Sequence, residues 1–354
     1  MRIIVNDIAA STGGAMTILT QFYNYIREYD NDNEWFFLLG DRYLDDTEKI
    51  TILCLPEVKK SHFKKVVFDC LVGKKYIERL RPDVVVSLQN IITFGVKCPQ
   101  LVYIHQSIPF QNTKRFSFFN KNERAIALIQ YGIGHLIKVS ARRADYVAVQ
   151  TEWMKKAVSH KAGIKKENII KVFPEAEVYI SENNKQMINF DKTRFFYPTS
   201  NEIYKNNGLI IKACNLLNKR GIRDFEVSMT LPEGTYVHPN IKCVGRLDAS
   251  EMINNYQQRT LVFPSYIETV GLPLLEARGC GTMVLASDTP FSHECLDGYP
   301  NGYFFDPFDP ETLSNIMEQV ILGEKVKQKD GSVMKSVTGW QEILKVIYSC
   351  GDYK

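Results

Sequence analysis

The sequence predicts an α/β protein built as two doubly wound parallel sheets in tandem. Short β-rich runs alternate with longer helical ones, the alternation restarts near residue 174, and 354 residues exceed what one hydrophobic core usually supports. A composition of 45% hydrophobic and 24% charged residues is that of a globular chain and argues against disorder.

In the first half, Arg2 to Val5, Trp35 to Leu39, Ile50 to Leu53, Val84 to Ser87, Gln100 to Ile104, Tyr146 to Gln150 and Ile169 to Phe173 are β-branched or aromatic runs and read as strands. Helical patterns fill the gaps at Thr17 to Tyr29, Val67 to Arg81, Asn122 to Arg143 and Glu152 to Gly163. A polar stretch, Glu175 to Asp191, precedes the second series of strands: Phe195 to Tyr197, Glu226 to Thr230, Ile241 to Val244, Thr260 to Phe263 and Met283 to Ala286. Helices are expected at Asn207 to Gly221, Ala249 to Gln257 and Leu274 to Gly279, with a last one at Gly339 to Tyr348. The domains are therefore expected at 1–173 and 174–339. Internal repeats and low-complexity tracts are absent.

Met1 leads straight into strand-like sequence, without the apolar segment and small-residue cleavage site of a signal peptide, so a cytoplasmic location is expected. The longest apolar stretch, Ala125 to Val139, contains Gln130, His135 and Lys138, which disfavours a spanning helix. Eight scattered cysteines with no Cys-x-x-Cys pair read as small core residues of a reducing compartment. Asp30-Asn31-Asp32 has the look of a metal-binding carboxylate pair, but its polar surroundings read as a solvated turn, and the histidines do not cluster with carboxylates at ligand spacing.

The net charge of +4 is unevenly spread: residues 1–173 hold 26 Lys+Arg against 17 Asp+Glu, and the remainder 18 against 23. Such a split points the first half towards something anionic. Lys59, Lys60, Lys64, Lys65, Lys74 and Lys75 surround Phe63, Val67 and Leu71, whose four-residue spacing places them along one helical face. Such a face fits either an anionic membrane surface or the protein core. A nucleic-acid partner is not expected, because the basic residues are not interleaved with a recognisable module.

Glu268 and Glu276 frame the most informative segment. Leu261 to Ser265 reads as a buried strand, Thr269-Val270-Gly271-Leu272-Pro273 as a turn, and Leu274 to Ala277 as the start of a helix. A helix starting after a glycine-containing loop presents unpaired amides and a positive dipole end to a phosphate-bearing or hydroxyl-rich ligand. Two carboxylates eight positions apart can each accept hydrogen bonds from different hydroxyls of one extended ligand. Lys205 lies between a strand and a helix, where ligands gather in open parallel sheets. Gly13-Gly14 opens the first helix and lets backbone approach a ligand, although the third glycine of a dinucleotide fingerprint is missing. His105 follows the strand Gln100 to Ile104 and is expected to point into a crevice. For Arg143 and Asp145 a structural pairing leads over an acceptor contact.

The run Phe263-Pro264-Ser265-Tyr266-Ile267-Glu268-Thr269-Val270-Gly271-Leu272-Pro273-Leu274-Leu275-Glu276-Ala277, followed by Gly281 to Asp288, closely resembles the donor-site signature of family four retaining glycosyltransferases. That resemblance implies the GT-B fold, two Rossmann-like domains facing a cleft, with 1–173 on the acceptor side, 174–339 binding the nucleotide sugar and 340–354 returning to the first domain. It implies donor contacts from Gly13, Gly14, Ser200, Lys205, Arg246, Glu268, Thr269, Val270, Gly271, Leu272 and Glu276. Glu276 is implied to grip the ribose, Glu268 the transferred sugar, Lys205 the diphosphate, and His105 the sugar near the reaction centre. Many members carry an arginine where this chain has Ser200, so part of the expected phosphate clamp is missing. Ser287-Asp288 and Glu294 fall in matched segments with helix-capping or loop-bracing roles expected.

The activity implied is metal-independent hexosyl transfer from a UDP- or GDP-linked sugar to a glycan or lipid-linked acceptor, with retention by a front-face mechanism and no cofactor beyond the donor. The setting implied is capsule or O-antigen assembly at the inner face of a bacterial membrane. Two alternatives are an epimerase of sugar nucleotides on the same fold and a non-catalytic sugar-binding partner subunit. A phosphorylase is disfavoured by the lack of a pyridoxal-binding lysine context.

Overall fold

The structure, a computed structural model, describes residues 1–11, 13–173, 190–328 and 339–351. The expected junction at residue 174 and most of the polar stretch 175–191 lie outside the described residues. The chain divides into two compact units, Met1–Glu175 with Val337–Lys354, and Ala176–Ser336.

The first unit holds seven strands: β1 (Arg2–Asp7), β2 (Glu34–Leu39), β3 (Ile50–Cys54), β4 (Val84–Ser87), β5 (Gln100–Ile104), β6 (Tyr146–Val149) and β7 (Ile169–Lys171). They form one parallel sheet in the order β3-β2-β1-β4-β5-β6-β7. Side chains alternate across it. Ile3, Val5, Val84, Val86, Leu101 and Tyr103 face the helix Gly14–Tyr29 and the C-terminal helix Trp340–Gly351. Ile4, Val85, Val102 and Ile104 face the opposite layer of helices.

Trp340 anchors the C-terminal helix in this unit, stacked on Tyr103 at 5.9 Å between centroids and tilted against Phe22 at 5.1 Å. Tyr348 at its far end donates to Asp30 Oδ2 at 2.9 Å. Asp30 is thus not in a solvated turn. It is buried, accepts from Asn33 and from the Trp35 indole, and braces β2 against two helices. Arg143 and Asp145 do not pair: the guanidinium lies over the Phe94 ring, and the Asp145 carboxylate accepts from the Gln100 amide at 2.8 Å.

The two longest helices expected on that second layer are each interrupted by a π-helical turn. One runs His62–Val67, π turn Phe68–Val72, Gly73–Arg79, and the other Arg124–Ala127, π turn Leu128–Ile133, Gly134–Arg143. A π turn adds a residue to the turn and rotates the remainder of the helix about its axis. The inward residues are Phe68 and Ile77, while Phe63 and Leu71 face solvent, so the face drawn through Phe63, Val67 and Leu71 is not the core face.

The second unit holds β8 (Arg194–Tyr197), β9 (Glu226–Met229), β10 (Ile241–Cys243), β11 (Thr260–Phe263), β12 (Val284–Ser287) and β13 (Gly302–Phe305), parallel in the order β10-β9-β8-β11-β12-β13. Three elements here have no counterpart among those expected from the sequence: β13 and the helices Pro290–Cys295 and Pro310–Leu322. The cysteines are all free; Cys54 is exposed, and Cys214, Cys243, Cys295 and Cys350 are buried. Among the described residues no helix is long and apolar enough to cross a membrane.

Candidate functional site

In the second sheet the chain leaves β8 towards β9 on one side and leaves β11 towards β12 on the other. The carboxyl ends of β8 and β11 therefore flank a topological switch point, where open parallel sheets bind ligands. Lys205 and Glu268, 63 residues apart, meet there, with Lys205 Nζ 2.6 Å from Glu268 Oε1. Both side chains are mostly buried yet retain 19% and 17% exposure, enough to be reached from solvent.

The surrounding backbone holds this pair. After β8 a short 3-10 turn, Ile203–Lys205, precedes the helix Asn207–Lys219. The buried Tyr197 hydroxyl donates to the Lys205 carbonyl at 2.7 Å. Asn206, in the left-handed region at φ 60°, sends its amide to the Pro264 carbonyl at 3.2 Å and to the Pro307 carbonyl at 2.7 Å. One side chain thus ties the loops following β8, β11 and β13. On the other side the Ser265 hydroxyl donates to Glu268 Oε1 at 2.7 Å, fixing the carboxylate that faces Lys205.

Thr269 and Val270 carry the chain to Gly271, whose φ of 88° turns it into the helix Leu272–Gly279. That conformation favours glycine, and a Cβ here would lie 3.2 Å from Leu274 Cδ1. The buried Cys295 thiol donates to the Val270 carbonyl at 3.0 Å, bracing the loop from behind. Glu276, on the second turn of this helix, accepts a hydrogen bond from the Tyr256 hydroxyl at 2.7 Å. Burial, then the charge of Glu276, pushes the Tyr256 phenol well above its ordinary range, so it stays a donor.

Ser200 is half-buried and its hydroxyl contacts Glu202. Its carbonyl accepts from the Asn207 amide at 2.8 Å. Arg246 is exposed in the loop after β10, directly following Gly245, whose amide donates to the Leu231 carbonyl at 2.8 Å. Asp288 Oδ1 lies 2.7 Å from His293 Nε2 and the Ser287 hydroxyl donates to the Phe263 carbonyl at 3.4 Å, both bracing contacts, while the cap of the helix Pro290–Cys295 is Thr289.

His105, Gly13 and Gly14 belong to the first unit. His105 follows β5, with Nε2 3.0 Å from Asn90 Nδ2. The Asn90 oxygen accepts from the amides of His105 and Gln106 at 2.8 and 2.9 Å, so its nitrogen is the donor and the imidazole carries its proton on Nδ1. Burial lowers the His105 pKa to about 4, leaving it neutral around pH 7. Gly13, at φ 63°, caps the helix that starts at Gly14, and neither glycine has an atom within 4 Å of a built Cβ. The preceding loop is held by Gln89, which accepts from the Ala9 amide, and by Lys59, which donates to the Ala10 carbonyl. Below it Asp7 is buried, and burial pushes its carboxyl up to about 7 against the Ala10 amide and the charges of Lys65 and Lys59. Among the described residues no group of three or more His, Cys, Asp or Glu is arranged to hold a metal.

Residues 233–332 match the family described as glycosyl transferases group 1. The fold is GT-B. The group 1 match contains Arg246, Tyr256, Glu268 and Glu276, while Lys205 precedes it. A D-inositol 3-phosphate glycosyltransferase of Corynebacterium jeikeium (strain K411) is 26% identical over 120 residues, 34% of this chain and 29% of that relative's length. Several solved structures match over 99% of the chain, and they include the following two. The lipopolysaccharide outer core galactosyltransferase WaaB in its apo form is 15% identical, with a TM-score of 0.64 and 99% of its own length covered. Anabaena Alr3699/HepE in complex with UDP and glucose is 15% identical, with a TM-score of 0.59 and 97% of its length covered.

Four residues of this network went unremarked in the sequence. Asn206 and Asn90 have a signal, since asparagine is the residue most able to take positive φ beside glycine. Tyr256 and Ser265 have none, because a tyrosine on an amphipathic helix and a serine after a strand read as packing and turn.

Proposed function

We propose that the protein transfers a hexosyl group from a nucleotide-diphosphate sugar to an acceptor hydroxyl. The observation that carries the reading is the Lys205 and Glu268 contact at the switch point of the second sheet, with Glu268 inside the segment matched to the group 1 glycosyl transferases. Lys205 takes the diphosphate and neutralises charge on the departing nucleotide. Glu268 takes hydroxyls of the transferred sugar, and the amides around Val270 and Gly271 assist at the start of the helix. Glu276, aimed by Tyr256, accepts the ribose hydroxyls, and Arg246 lies by the base. With Ser200 in place of an arginine, its hydroxyl and neighbouring amides complete the phosphate site.

Transfer proceeds with retention. The departing phosphate takes the proton of the acceptor hydroxyl on the face from which it leaves, and neutral His105 contacts the transferred sugar. No metal or further cofactor takes part. The acceptor is a glycan or a lipid-linked saccharide at an anionic membrane surface on the cytoplasmic side, in bacterial surface polysaccharide assembly. Support for this last part is the positive balance of residues 1–173 and the lipopolysaccharide transferase among the structural relatives.

The test is a thermal-shift screen of the protein and of Lys205→Ala against UDP, GDP and their sugars. A ligand bound by the native state raises apparent stability. One nucleotide series is expected to stabilise the wild type, with the shift lost in the variant. No shift with any nucleotide, or an equal shift in the variant, overturns the assignment. An epimerase is separated by donor alone: conversion of the sugar nucleotide without acceptor favours it over transfer.

A further inference from the structure

We propose that one face of the first unit is a docking surface for an anionic lipid bilayer, formed by the two helices that contain π turns. The connections from β3 to β4 and from β5 to β6 run in the same direction across the parallel sheet, so right-handed crossovers put both helices on the same side. The register agrees, because the residues beneath the first helix (Ile4, Val85) and the second (Val102, Ile104) share one face of the sheet. The β4 to β5 connection lies against both, with the Phe94 amide donating to the Asp69 carbonyl and the Ile92 amide to the Ser140 hydroxyl.

The outward sides of these helices are apolar. On the first, Phe63 is 76% exposed and Leu71 73%, with Val66 and Val72 beside them. At the second, Phe119 is 94% exposed, and Phe118, Leu128 and Tyr131 are exposed with it. Each π turn contributes two of these: Leu71 and Val72, Leu128 and Tyr131. Large apolar side chains clustered in this way are uncommon on a surface that meets only water.

The charge around them selects the occupant. Residues 56–80 hold seven Lys+Arg against three Asp+Glu, and 112–131 hold four against one. Two of the acidic residues, Asp69 and Glu123, are buried. Lys60, Lys64, Lys75, Arg115, Lys121 and Arg124 stand in solvent around the apolar side chains. Insertion of aromatic and aliphatic side chains at the headgroup boundary, with lysines and arginines over anionic phosphates, accounts for both features at once. A protein partner would account for the charge only if its own docking face were acidic.

This gives the lipid-linked acceptor reading a physical surface, and its test requires no turnover. The protein is sedimented with vesicles of phosphatidylethanolamine and phosphatidylglycerol, and with phosphatidylcholine vesicles, at about 0.1 M salt. Binding to the anionic vesicles is expected to be at least tenfold stronger and to fall with added salt. Phe63→Ser with Leu71→Ser, and separately Lys60→Glu with Lys64→Glu, are expected to weaken it tenfold or more, with the melting temperature and nucleotide binding kept. Equal binding to both vesicle types, no binding, or full binding by both variants overturns the proposal. So does a concentration-dependent dimer that the Phe63 and Leu71 substitutions dissociate, which would make the face an interface between copies. In the wild type, absent vesicle binding with intact UDP binding refutes the docking face alone, whereas absent UDP binding strikes the transferase reading.

Discussion

Replacing Glu268 by Gln separates its two roles. In the free protein its carboxylate lies 2.6 Å from the Lys205 ammonium, so the group that is to receive a diphosphate is already paired. Coulomb attraction at that distance is about 6 kcal/mol for an effective dielectric constant of about 20. Desolvation of two largely buried groups cancels most of it, leaving a net coupling of about 1.5–2 kcal/mol. A nucleoside diphosphate has to overcome this pairing and also lies beside the carboxylate's negative charge. Glu268→Gln removes both penalties while keeping the side-chain shape and an acceptor for the Ser265 hydroxyl. UDP, or whichever diphosphate the screen selects, is therefore expected to bind about tenfold more tightly by calorimetry. Sugar transfer from the matching donor is expected to fall at least about a hundredfold, since the contact to the sugar hydroxyls is made by the charged group. Weaker diphosphate binding in the variant, or unchanged turnover, would refute the reasoning.

Three further sites test other parts of the account. Tyr256→Phe removes a 2.7 Å hydrogen bond to the Glu276 carboxylate; such bonds to charged groups contribute about 1.5–3 kcal/mol, so KM for the donor should rise tenfold or more with kcat changed less, and a drop in melting temperature without a KM effect would assign Tyr256 to packing alone. Asp7 is buried and its folded pKa of about 7 lies above the ordinary carboxyl value of 3.8, so the stability of its protonated state is present below pH 3.8 and lost as pH rises through about 7. Asp7→Asn should therefore stabilise the protein by up to about 4 kcal/mol at pH 8 and by less at pH 5 in denaturant unfolding; an equal effect at both would contradict it. Burial likewise raises the Asp69 carboxyl to about 7, but it accepts from Asn6, Gln89 and Thr93, so Asp69→Asn, which gives up part of that acceptor capacity, should stabilise less than Asp7→Asn at pH 8. Trp340→Ala, which empties a fully buried site against Tyr103 and Phe22, should cost about 3–5 kcal/mol and release the C-terminal helix to proteolysis; unchanged protease resistance would show that other contacts hold it.

The strands at Val84–Ser87, Gln100–Ile104 and Thr260–Phe263 are legible because uninterrupted β-rich runs fill both buried faces of a parallel sheet. Gly302–Phe305 is not, since it is four residues long, begins with glycine and has three partly exposed positions. The helix Pro310–Leu322 does have a readable signal, with Asp309 as cap, Pro310 in the first turn and Leu313, Met317 and Val320 on one face. The π turns cannot be read in advance, because one inserted residue shifts the helical period without changing composition, so residues on the two sides of Phe68–Val72 do not keep one face. For the site, spacing around Glu268 and the strand-to-helix position of Lys205 mark each residue separately. Their contact depends on β8 and β11 being neighbours, which is a property of sheet order and not of local sequence.

The most direct measurement is a crystal structure of the protein with UDP. Lys205 Nζ is expected within hydrogen-bonding distance of the diphosphate, displaced from Glu268, with the ribose hydroxyls on Glu276. Well-ordered UDP bound away from the ends of β8 and β11, with Lys205 and Glu268 still paired, would contradict the account.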